Sequence, residues 1–68
     1  MKVILTTGYC NPPLKRIFTC NEVCYFENKH KLSMYNEKGK VIAWVITDEW
    51  QEVVIVYDDG HEKVIKEV

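Results

Sequence analysis

Apolar and polar positions along the chain recur mostly with a period of two rather than the 3.6 residues of an amphipathic helix, which predicts strands. Residues 2–7 form a β-branched run that ends at Gly8. After it Tyr9, Cys10, Asn11 and the Pro12-Pro13 pair make an irregular, stiff connection. Residues 16–26 are rich in strand formers but interrupted by Asn21. They read either as one bulged strand or as two short strands meeting near Cys20–Glu22.

The clearest element is a hairpin over residues 30–47, whose turn Asn36-Glu37-Lys38-Gly39-Lys40 places Gly where a left-handed residue is needed. Pairing Tyr35 with Val41 predicts one face of Leu32, Met34, Ile42, Trp44 and Ile46. Lys31, Ser33, Tyr35, Ala43 and Val45 fall on the other. On this register Trp44 is a packing residue, as is Phe26 at the end of the preceding apolar strand. Asp59-Gly60 predicts a second hairpin with a two-residue type I′ turn between residues 52–57 and 61–68. Its first strand carries the unbroken run Val53-Val54-Ile55-Val56, which suits a central strand covered on both faces or one at a dimer interface. Between the hairpins, residues 47–51 predict one helical turn, with Thr47 as N-cap and Asp48 and Glu49 in the first turn.

These elements predict an all-β fold: a small antiparallel curled sheet or open barrel of five to six short strands, with at most one short helical turn. At 68 residues the chain makes a single domain, residues 1–68, whose core is thin. Its apolar share of 47%, with three Gly and two Pro, argues for a packed globule. A chain this short often gains stability from disulfides, a metal or self-association. Three cysteines, at 10, 20 and 24, form no disulfide framework and suit a reducing compartment. The apolar run after Lys2 is too short for a signal peptide and no stretch reaches membrane-spanning length, so the expected location is the cytoplasm. A homodimer is then the simplest stabilising device.

The net charge of −1 speaks against a dedicated nucleic-acid binder, but the charge is unevenly spread. Residues 1–40 carry seven Lys or Arg against three Glu, whereas residues 41–68 carry two Lys against seven acids, so the folded surface is expected to be two-signed.

Candidate chemistry is sparse. Cys20, Cys24 and His30, with Cys10, are the only soft-ligand group. On one extended strand Cys20 and Cys24 would lie roughly 13 Å apart, so they converge only if Asn21 and Glu22 make a turn. No metal or cofactor is therefore expected. Asp58 and Asp59 are accounted for by turn chemistry, and no phosphate loop, nucleophile elbow or dinucleotide fingerprint is present, so no enzymatic activity is expected.

The leading functional reading is a small protein-binding module, of the kind compact phage genomes encode as an inhibitor or accessory regulator of a host protein. The surfaces assigned to it are the stiff loop of Tyr9, Asn11, Pro12 and Pro13 and the acidic segment of Asp48, Glu49 and Trp50. The alternative is a small barrel that stacks single-stranded nucleic acid on Tyr35 among Lys29, Lys31, Lys38 and Lys40.

Overall fold

The structure is a computed structural model and describes residues 1–8 and 11–67. Seven strands form among these residues: β1 (Lys2–Thr7), β2 (Leu14–Thr19), β3 (Glu22–Phe26), β4 (Lys31–Tyr35), β5 (Val41–Ile46), β6 (Glu52–Val56) and β7 (Glu62–Lys66). Two single 3-10 turns, Glu27–Lys29 and Thr47–Glu49, complete the described elements. All pairings are antiparallel, in a four-stranded sheet of order β2-β1-β6-β7 and a three-stranded sheet of order β3-β4-β5. The expected single curled sheet or open barrel of five to six strands is thus replaced by seven strands in two open sheets.

The division arises at Cys20 and Asn21. The Cys20 N–H donates to the Met1 carbonyl, extending the first sheet, and the next N–H, of Asn21, donates to the Tyr35 carbonyl in the second. Residues 16–26 are therefore two strands, and they lie in different sheets. Consecutive N–H groups each find a partner, so the chain changes sheets without leaving a buried donor unpaired.

Strand alternation then defines one shared core. Val3 and Leu5 of β1 and Val53 and Ile55 of β6 come from the middle strands of the larger sheet; Leu32 and Met34 come from the middle strand of the smaller one. All six are essentially inaccessible to solvent, and Cys20 joins them at the crossover. Burying a side chain of this size stabilises the fold by about 1.5–3 kcal/mol relative to exposure. The 47–49 turn is anchored by Thr47, whose N–H and hydroxyl both donate to the His30 carbonyl, at 2.7 and 3.1 Å. Thr47 is buried but does not cap the turn with its side chain, contrary to the sequence expectation; Ile46 holds the N-cap position.

Both hairpin turns use one geometry. Gly39 donates to the Asn36 carbonyl and Asn36 to the Lys40 carbonyl; Gly60 donates to the Tyr57 carbonyl and Tyr57 to the His61 carbonyl. In each, only the glycine has positive φ, +79° at Gly39 and +93° at Gly60. This is a three-residue loop closed by a left-handed residue, not the two-residue type I′ turn expected at Asp59-Gly60.

A bulge between Met34 and Tyr35 overturns the predicted faces of the first hairpin. Tyr35 does pair with Val41, but Met34 pairs with Ala43 and Ser33 with Trp44, leaving Ile42 as the extra residue. One inserted residue reverses every side chain beyond it. Ala43 and Val45 consequently face the core beside Met34 and Leu32, and Trp44 turns outward with Ser33.

Candidate functional site

The reversal gives the three-stranded sheet an outer face of unusual composition. Across its middle, Cys24, Ser33 and Trp44 stand in register on β3, β4 and β5; in the next row Phe26, Lys31 and Ile46 do the same. Trp44 is 57% exposed, Val41 54%, Ile42 48% and Phe26 40%. Only Lys31 puts charge in these two rows, and its ammonium sits 5.0 Å from the centroid of the Trp44 ring. That cation–π contact is worth about 0.5–1 kcal/mol at an exposed site. Tyr35 lies on the same face, half-buried, between Glu22 and Val41.

The larger sheet also shows apolar side chains outward. Ile17, Ile4, Val54 and Val64 form one row across β2, β1, β6 and β7. Ile17 and Val64 are exposed, while Val54 is buried between its neighbours although it lies outside the shared core. Val54 is thus buried on the outer face of a central strand, and the unbroken run of residues 53–56 reflects a strand apolar on both sides. The flanking rows are mostly polar: Thr19, Lys2, Val56 and Glu62 form one, and Lys15, Thr6 and Glu52 the other.

The described residues assigned to protein binding fall at one end of the molecule. Tyr9 and Cys10 lie outside the described residues. Asn11, Pro12 and Pro13 are exposed, with a cis bond between Asn11 and Pro12. Asp48 and Glu49 are exposed on the 3-10 turn, whereas Trp50 is half-buried and packs on the core. The roots of these two segments meet, because the Gln51 N–H donates to the Thr6 carbonyl at 2.9 Å and the Gln51 amide packs against Gly8. The residues of the nucleic-acid alternative are divided instead. Lys31 and Tyr35 share the outer face of β4, but Lys29 lies in the turn before β4, and Lys38 and Lys40 in the turn after it.

Among the described residues the soft ligands do not gather. Cys20 is buried in the core, Cys24 is exposed on the outer face, and His30 closes the β3–β4 turn with φ +50° and faces Asp48 at 3.5 Å. Among the described residues no three His, Cys, Asp or Glu side chains are placed to share a metal ion. Burial pushes the Cys20 thiol above its ordinary range, against a smaller opposite pull from the Met1 amine, so it stays protonated and poorly nucleophilic. Asp59 is held below the usual carboxylate range, first by the His61 N–H and then by the His61 ring, which also stacks on Tyr57. A hollow of about 360 Å³ opens beside Met1, Lys2 and Asp58, but the Met1 amine there is engaged by Asp58 at 2.7 Å and by the Cys20 carbonyl at 2.9 Å. No family model matches the chain, and neither curated proteins nor solved structures give a match.

The outer face of the three-stranded sheet was invisible to periodicity because a bulge has no hydrophobic signature of its own. The one available signal was compositional: β5, Val-Ile-Ala-Trp-Val-Ile, has no polar residue to turn toward water.

Proposed function

We propose that the protein is a small protein-binding module whose partner docks on the outer face of the three-stranded sheet, around Trp44. The observation that carries this reading is the exposure of Trp44, Val41, Ile42 and Phe26 on one small sheet. A rigid indole on a β-strand is the kind of side chain that dominates binding energy when a partner covers it. The module acts by occupancy, as an inhibitor or accessory regulator does, with no bond made or broken. The loop end of residues 11–13 and 48–50 extends the contact where a partner reaches past the sheet.

The single-strand nucleic-acid reading retains one supporting observation, the grouping of Trp44, Lys31 and Tyr35 on one face. It is the weaker of the two, because the other lysines lie at opposite ends of β4.

A tagged pull-down from lysate of the source cells, with and without nuclease, tests both. The expected result is a stoichiometric protein that survives nuclease and is lost with Trp44→Ala. Retention of that protein by Trp44→Ala would remove the face from the proposal. Recovery of nucleic acid alone, binding less tightly as salt rises, would favour the alternative.

A further inference from the structure

Ser33 stands apart from its neighbours on the outer face of the three-stranded sheet. It lies in register between Cys24 and Trp44, both exposed, yet only 3% of it is accessible to solvent. The middle row is therefore a recess with a serine at its floor. A side-chain polar group buried to this extent ordinarily has a hydrogen-bond partner, but the Ser33 hydroxyl has none among the described residues. Nor is it sealed in, because no fully buried side-chain oxygen among those residues lacks a partner. The hydroxyl opens into the recess with its donor unused.

A second unused donor borders the same place. Lys31, in the adjacent row, sets its ammonium 5.0 Å from the centroid of the Trp44 ring and forms no ion pair among the described residues. On the other side of the recess Glu22 stands in register with Tyr35, so the face is positive at one end and negative at the other. An ammonium can only donate and a hydroxyl donates readily, so the group that satisfies both is an anionic acceptor with two oxygens. The apolar side chains of Trp44, Phe26 and Ile46 around it call for apolar neighbours on either side of that anion. A nucleic-acid strand brings a run of phosphates, which would meet one lysine here and then Glu22.

We infer that the recess over Ser33 is the specificity site of the docking face, and that it takes the carboxylate of an Asp or Glu presented by the partner protein between apolar residues. This rests on the protein-binding reading of the same face and names the chemistry of its partner. The carboxylate pairs with the Lys31 ammonium and accepts from the Ser33 hydroxyl, while the flanking apolar side chains cover Trp44 and Phe26. A partner without an acceptor would cover Ser33 and leave its hydroxyl unpaired, so the same group that attracts an acidic partner penalises a neutral one.

Selection of a displayed library of short random peptides on the whole chain, followed by titration of a labelled selected peptide, tests the inference. Neither Lys31 nor Ser33 belongs to the core, so Lys31→Met and Ser33→Ala both fold. The expected result is enrichment of peptides with an Asp or Glu between apolar residues. Their binding should be about five- to tenfold weaker to Lys31→Met, which keeps the apolar stem, and about three- to fivefold weaker to Ser33→Ala. Replacing the selected acid by its amide should weaken binding to the wild type and leave binding to Lys31→Met unchanged, a coupling that a merely disturbed face does not produce. Failure to enrich any peptide, selection of neutral peptides, or equal binding to the wild type and both variants would overturn the inference. Neutral peptides that are nonetheless lost with Trp44→Ala would end the carboxylate site and leave the protein-binding reading standing. Salt-sensitive binding of oligothymidylate with no peptide enriched would replace both with the nucleic-acid reading.

Discussion

The two sheets meet the same core and yet present different outer surfaces. On the four-stranded sheet the apolar row Ile17-Ile4-Val54-Val64 has mostly polar rows beside it and ends in two charged edge strands. On the three-stranded sheet the apolar residues run to the edge itself and include a tryptophan more than half exposed. Exposed apolar side chains occur on both, and are ordinary on soluble proteins. What separates the two is whether the edge strand beside them carries charged side chains, as β2 and β7 do and β5 does not.

The largest effect that can sharpen this contrast lies in the shared core. Leu5→Ala in the larger sheet and Leu32→Ala in the smaller should each cost about 2–5 kcal/mol in chemical denaturation, and each should leave a single transition, because both side chains are fully buried in one cluster. Trp44→Ala, a larger truncation, should cost about 1 kcal/mol or less, since Trp44 packs outside that cluster. A loss at Trp44 as large as at Leu32 would mean that its face is internal.

Next come the two turns. A side chain at Gly39 or Gly60 meets no neighbouring atom, so only the positive φ resists substitution. Ala at either position should cost about 1–2 kcal/mol, and nearly the same in both sheets. A clear difference in thermal stability between the two variants would show that the hairpins do not share one geometry.

The smallest effect concerns Asp59. Its folded-state pKa is depressed by His61, so its contribution to stability is present above the ordinary aspartate pKa and is lost as pH falls through the lower folded value. Asp59→Asn should therefore flatten the acid limb of the stability profile near pH 3–4 (about the ordinary carboxylate range) and reduce stability at neutral pH only slightly, the site being fully exposed. An unchanged acid limb would remove the His61 contact from the account.

Local chemistry made the strands and turns legible from residue types alone: Gly39 and Gly60 sit at the left-handed positions of real hairpins, and Thr47–Glu49 does make one helical turn. The register of the first hairpin was half legible. Tyr35 does oppose Val41, but the extra Ile42 is accommodated by backbone adjustment that leaves no mark on polarity, and every face beyond it was assigned backwards. The split into two sheets was illegible for a related reason. Cys20 and Asn21 turn the chain without glycine or proline, through two N–H groups whose acceptors, Met1 and Tyr35, are far apart in sequence. Loops commonly carry function, which draws the expected protein-binding residues to 9–13 and 48–50; Lys31 and Tyr35 are the expected site residues that do lie on the exposed sheet face, and Trp44 joins them only through the bulge.

The order in which strands pair along the chain also sets when they can pair. The sheet of β3, β4 and β5 uses only neighbours in sequence, from Glu22 to Ile46, whereas the ladder between β1 and β6 joins residues 2–6 to residues 52–56 across the whole of it. Closing the longer loop costs more chain entropy and comes later. The β3-β4-β5 sheet, its β5 edge included, can therefore assemble from local contacts before the ladder that closes the larger sheet over its inner side.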